Sequence, residues 1–201
     1  MTARTSAPSS EEAKNWAWNS VAEHDPCLIF IGMPGAGKST LASALARRMG
    51  WAYLDTDHLM QAWYGLPLES LRQALGRERF MLAEEETLLS LDVHRCVIAT
   101  GGSAVYSPRA MQALKCNGVV LYLQADYSTI VQRIGRHPER GLVMQSGQSL
   151  RDIYLERRTL YERYADLVLS TASTSIQDCI QNLEALIYEF WSPEKQEKKH
   201  L

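Results

Sequence analysis

Short runs of consecutive apolar residues alternate along this chain with longer stretches in which apolar residues recur every three or four positions. The runs are Cys27 to Ile31, Trp51 to Leu54, Cys96 to Thr100, Val119 to Leu123 and Leu167 to Leu169, and their length and continuity predict strands. Between them, Leu41, Leu45 and Met49 share one helical face. Met81, Leu82, Leu88 and Leu89 mark a helix with an acidic face at Glu84 to Glu86, Ile130, Val131 and Ile134 another, and Ile180, Leu183, Leu186 and Ile187 the last. Strands alternating with helices predict an α/β domain: three layers, with a five-stranded parallel sheet flanked by helices and ligands held beyond the carboxyl ends of the strands.

Composition narrows the picture at the edges. The chain has 201 residues, 46% of them hydrophobic, enough for one sizeable core. Residues 1–26 form a polar arm without sustained periodicity and 192–201 a charged tail, leaving a domain at 27–191. The formal net charge of −2 gives no reason to expect a nucleic-acid partner, so an anion must be held locally. No apolar run approaches the roughly 20 residues that span a bilayer. The N-terminus also lacks the basic start and apolar stretch of a secretory signal, so a cytoplasmic monomer without a membrane partner is expected. The four cysteines are widely spaced with no C-x-x-C pair, which fits reduced thiols.

Gly32, Met33, Pro34, Gly35, Ala36, Gly37, Lys38 and Ser39 spell G-x-x-x-x-G-K-[ST] between the first strand and the first helical stretch. Glycines there let backbone N–H groups turn inward around phosphate oxygens, and the helix that follows points its positive end at them. Gly32, Gly35, Ala36, Gly37, Lys38, Ser39 and Thr40 are thus the expected nucleotide contacts, with Lys38 charging the outer phosphates and Ser39 offering its hydroxyl to Mg²⁺. With the order of strands and helices, this loop predicts a P-loop NTPase fold. The loop alone does not separate switches, motors and kinases. A guanine-specific N-K-x-D signature is absent, and a non-catalytic nucleotide-binding protein stays as the reading from another class.

Asp55 and Asp57 follow the second strand at the end where the cradle lies. Two carboxylates so placed suit metal orientation and acceptance of a hydroxyl proton, although an aspartate before a helix also suits an N-cap. Gly101 and Gly102 end the third strand, where glycine admits close backbone approach or simply makes a turn.

With these motifs in order, the sequence resembles the shikimate kinase family from about Leu28 to Leu169. The resemblance rests on G-M-P-G-A-G-K-S-T, L-D-T-D at Leu54 to Asp57, Gly65, Gly76, Phe80 ahead of Glu84, A-T-G-G at Ala99 to Gly102, and R-R-T-L-Y at Arg157 to Tyr161. It implies an ATP- and Mg²⁺-dependent kinase in which Asp55 organises the metal and Asp57 contacts the substrate hydroxyl. Arg140 then belongs to a mobile lid at about 135–149, Arg133 lies on the nucleotide side, and Arg157 grips the carboxylate of a small-molecule substrate beside Gly101 and Gly102. Lys38, Asp57 and Arg140 are the expected catalytic residues. On composition alone, the arginines near the lid also read as a solvated basic loop, and Arg157 as part of a charged helix face.

The chain departs from the family at Ser103, where a third glycine is usual, at Gly141, where proline usually follows the lid arginine, and at Met81, where the family has a second carboxylate-gripping arginine. Losing one charge-assisted clamp costs about 1.5–3 kcal/mol, roughly ten- to a hundred-and-fifty-fold in affinity. On that ground homoserine, its amine on an acid such as Glu84 and its carboxylate on Arg157, is the favoured substrate. Shikimate is the alternative if Arg72, Arg77 or Arg79 replaces the missing group.

Overall fold

The computed structural model describes residues 26–135, 147–171 and 175–192. Five parallel strands, β1 (Cys27–Ile31), β2 (Ala52–Asp55), β3 (Cys96–Ala99), β4 (Gly118–Gln124) and β5 (Leu167–Ser170), lie in the order β2-β3-β1-β4-β5. Every residue of β1 is buried, as expected for a central strand covered on both faces, whereas edge strand β2 exposes Ala52 and Tyr53. Register is set by β1 against both neighbours, with Leu28 beside Val97 and Val119 and Phe30 beside Ala99 and Leu121.

Seven helices flank the sheet among the described residues: α1 (Lys38–Met49), α2 (Thr56–Tyr64), α3 (Leu68–Leu89), α4 (Pro108–Asn117), α5 (Tyr127–Gly135), α6 (Leu150–Tyr164) and α7 (Ile176–Trp191). A short 3₁₀ turn covers Ala104–Tyr106. The main core joins the sheet to α1, α4, α6 and α7, and a smaller cluster of Met60, Leu71, Phe80 and Ala83 joins α2 to α3. Gly76, at φ 69° and ψ 173°, interrupts α3, a conformation that favours glycine, so Arg77 opens the second segment of that helix.

The strand boundaries expected from the apolar runs shift by one or two residues, because pairing extends past apolar residues to Asp55, Gln124 and Ser170. The capping role open to an aspartate falls to Asp55: it caps α2, its Oδ1 accepting from the N–H groups of Asp57 (3.0 Å) and His58 (3.4 Å), so the chain already turns helical at Thr56 and Asp57 lies in the first turn of α2. A further expectation is corrected. Glu84 does not belong to a solvated acidic face, since it is 3% exposed and shares the buried side of α3 with Phe80, Ala83, Thr87 and Leu88. The expected arm, tail and most of the expected lid, Arg140 and Gly141 included, lie outside the described residues.

Candidate active site

The turn between β1 and α1 has the strain that a phosphate cradle needs. Gly32, Gly35 and Gly37 all have positive φ, and a side chain at Gly32 would approach the Leu123 carbonyl oxygen to 2.7 Å. Ala36 is buried within the turn, and Thr40 is exposed in the first turn of α1. Lys38 folds back over the loop, its Nζ donating to the carbonyls of Gly32 (2.8 Å) and Met33 (3.0 Å). Arg133 on α5 donates to the carbonyls of Gly35 (3.1 Å) and Thr171 (3.0 Å), and the Thr171 hydroxyl donates to the Ala36 carbonyl (3.2 Å). The loop is therefore braced from the β5 side by a cation, which fixes its N–H groups before a phosphate arrives.

Beside the cradle, the Tyr53 hydroxyl donates to Asp55 Oδ2 at 3.1 Å, and the Ser39 side chain lies near enough to pull its pKa down against the larger raising effects. Burial, together with the Asp55 charge, pushes this phenol up to about 12, so it stays protonated. Ser39 and Asp55, the two side chains expected to serve Mg²⁺, thus flank one phenol. Their hard oxygens, beside a phosphate cradle, suit a cation that takes one or two protein oxygens and fills its other positions with phosphate and water.

The glycines after β3 are the meeting point. The Gly101 N–H donates to Thr56 Oγ1 at 3.2 Å, and a side chain at Gly101 would collide with Glu84 Oε1 and approach Asp57 Oδ1 (2.9 Å). At Gly102 it would meet Pro34 of the cradle at 2.7 Å and Arg157 Nη1 at 3.0 Å. Two residues without side chains therefore let a carboxylate pair, the phosphate loop and an arginine converge from four segments distant in sequence.

Arg157 is 1% exposed, unlike its neighbour Arg158, which pairs with Glu162 on the helix surface. Its Nε donates to the Tyr106 hydroxyl at 3.3 Å and its guanidinium lies 5.1 Å from the Tyr106 ring centre. The neighbouring Tyr161 hydroxyl donates to the Gly102 carbonyl at 2.7 Å and anchors the same turn. Burial works against the charge of Arg157, but Tyr161, Tyr106 and Glu84 outweigh it and hold its pKa above the ordinary value. The view of Arg157 as part of a solvated charged face is thereby set aside.

Glu84 accepts from the Ser103 hydroxyl at 2.5 Å. Burial raises its carboxyl to about 7; Ser103 pulls it down, Asp57 pushes it up, and Arg157 and Lys38 pull it down again. Since the folded pKa stands above the ordinary 4.5, the folded protein binds the extra proton, and stability falls as pH rises from about 4.5 towards 7. Glu84→Gln removes that dependence. Urea unfolding at pH 5 and pH 8 should show the variant gaining on the parent by at most about 3 kcal/mol at the higher pH. An equal difference at both pH values would contradict this placement of the charge.

Met81 lines a cleft of about 340 Å³ between α3 and the turn after β3, together with Arg77, Glu84, Ser103 and Tyr106. Tyr53, Tyr106 and Tyr161, the last quoted above only as part of the R-R-T-L-Y motif, have roles here that the sequence did not suggest, and Ser103 is more than a missing glycine. The signal for Glu84 was available: it falls on the three- and four-residue stripe of Phe80, Ala83, Thr87 and Leu88.

The family model for shikimate kinase matches residues 34–187. The chain belongs to the shikimate kinase family. It is 33% identical over 163 residues to a shikimate kinase of Bordetella pertussis, covering 80% of this chain and 77% of that protein. It is 35% identical over 147 residues to one from Moorella thermoacetica, covering 72% and 84%. Among solved structures, the shikimate kinase of Acinetobacter baumannii in complex with shikimate superimposes with a TM-score of 0.78 at 28% identity, covering 90% of this chain and 98% of that one. The chain is accordingly a small-molecule kinase, a phosphotransferase acting on a hydroxyl. Family members use ATP with Mg²⁺. No helix among the described residues is long and apolar enough to cross a membrane.

These comparisons overturn homoserine as the favoured substrate, because the family model and these relatives are those of shikimate kinases. The structure supplies a physical reason as well. Glu84, the acid expected to meet an amine, is buried, already engaged by Ser103 and pushed towards neutrality.

Proposed function

We propose that this protein phosphorylates shikimate with Mg²⁺-ATP, giving shikimate 3-phosphate. The observation that carries this reading is the convergence at Gly101 and Gly102 of Asp57, the cradle residue Pro34 and the buried guanidinium of Arg157. One ligand resting on those glycines would have a hydroxyl near Asp57 and a carboxylate towards Arg157. The related Acinetobacter baumannii enzyme has been solved in complex with shikimate, in support of that substrate.

In this mechanism the backbone N–H groups of the loop from Gly35 to Ser39 and the Lys38 ammonium hold the β- and γ-phosphates. Ser39 and Asp55 would hold Mg²⁺, which supplies neutralisation of phosphate charge. Asp57 orients the acceptor hydroxyl and accepts its proton as the bond to phosphorus forms. Arg157 fixes the carboxylate by paired N–H contacts, so that the hydroxyl presented to Asp57 is determined by the length of the substrate. Arg133 keeps the loop in its phosphate-ready shape, and Arg140 is assigned to charge stabilisation over the transferring group. A cytoplasmic location, where ATP is supplied, belongs to the same reading.

The test is ADP release with purified protein, Mg²⁺-ATP and shikimate, followed by a coupled assay. Saturable, shikimate-dependent turnover is expected, and ADP release that ignores shikimate would contradict the assignment.

A further inference from the structure

The cleft beside the glycine step is lined by an arginine with one donor unpaired among the described residues. Arg77 lines it with Met81, Glu84, Ser103 and Tyr106, and Arg77 Nε is buried without a hydrogen-bond partner among the described residues. A buried guanidinium nitrogen left unpaired is costly, so the side chain gains by turning towards an acceptor that enters the cleft. Of the carboxylates that line the cleft, Glu84 accepts from Ser103, Glu85 accepts from the Ser107 hydroxyl (2.5 Å) and from Arg109 (2.9 Å), and Glu78 is exposed.

The neighbouring arginines are placed differently. Arg72 is held by both carboxylate oxygens of Glu69, at 2.7 and 2.9 Å, and Arg79 is exposed and does not line the cleft. Arg77 stands one helical turn before Met81, where side chains four apart share a face, and opens the helical segment that follows the Gly76 interruption. Across the cleft, Tyr106 forms the wall and carries Arg157 on its hydroxyl and ring.

We infer that Arg77 is the second carboxylate-binding residue of this enzyme, reaching the acceptor's carboxylate from the α3 side while Arg157 holds it from the Tyr106 side. Met81 then acts as an uncharged spacer over which the longer reach from Arg77 passes. The identity of the acid rests on the shikimate reading; the position of its carboxylate does not.

Steady-state kinetics of Arg77→Gln at saturating Mg²⁺-ATP test this directly. A carboxylate contact made equally before and during phosphoryl transfer raises KM and spares kcat, so KM for shikimate should rise about ten- to a hundredfold with kcat and the KM for ATP little changed. Arg79→Gln should behave as the parent. Arg77→Lys keeps the charge but not the planar fork and should fall between. The double variant Arg77→Gln with Met81→Arg should recover most of the loss, and the methyl ester of shikimate, lacking the charge, should not distinguish Arg77→Gln from the parent. An unchanged KM in a variant whose melting curve matches the parent overturns the proposal. If the parent does not phosphorylate shikimate at all, the functional reading fails instead, and Arg77 is judged by the same comparison on whichever hydroxy acid is turned over.

Discussion

Replacing Asp57 with asparagine is expected to lower kcat by about 10²- to 10⁴-fold, the usual worth of a positioned base in proton transfer, with the KM for ATP little changed. The amide keeps the size of the side chain and the backbone N–H that bonds Asp55 Oδ1, so the start of α2 is undisturbed. What it loses is the capacity to accept a proton at the oxygen that faces Gly101. It also removes the charge that, together with burial, pushes Glu84 up, so the Glu84 carboxyl should move down towards its ordinary value. Pre-steady-state measurement of the chemical step checks the first effect. An asparagine variant with parental kcat would show that Asp57 neither orients nor deprotonates the acceptor.

The second large effect is expected at Arg157. Arg157→Ala should raise the KM for shikimate by about ten- to a hundred-and-fifty-fold through loss of a charge-assisted contact. It should also destabilise the free enzyme, because Arg157 is among the largest fully buried side chains and its removal takes the guanidinium from the Tyr106 hydroxyl and leaves Lys38 as the remaining cation acting on Glu84. Without Arg157 the Glu84 carboxyl loses a neighbour that pulls its pKa down, so it should rise further. Thermal melts and kinetics on the same preparation separate the two consequences. Parental KM together with a lowered melting temperature would make Arg157 a structural cation and nothing more.

Much of this was legible in the chain because it depends on local pattern. The five apolar residues of β1 announce a central strand, and the glycines from Gly32 to Gly37 announce a turn that only a strand-to-helix cradle needs. Asp55, Asp57, Gly101, Gly102 and Arg157 were picked out before their geometry was known, but their relation to one another is a product of the sheet. β3 lies between β2 and β1, which brings the glycine step against both the start of α2 and the cradle. Glu84 was misread because three consecutive glutamates look like a solvated face, although the helical period sends the first of them inwards. The aromatic cage of Arg157 was illegible for another reason: Tyr106 lies on the turn after β3 and meets α6 only in three dimensions. The chemistry inferred from Met81 went astray in the same way. A missing arginine at one position of α3 says little until the helix shows that Arg77, one turn earlier, faces the same cleft.

The central claim is that the site selects shikimate. It is tested most directly by competition: purified protein with Mg²⁺-ATP and an equimolar mixture of shikimate, quinate, gluconate and hydroxy amino acids, with the phosphorylated products identified by mass spectrometry. Shikimate phosphate is expected to dominate the products at early times, and to lose that dominance in Arg157→Ala. Phosphorylation of another member of the mixture, with shikimate left intact, would contradict the account.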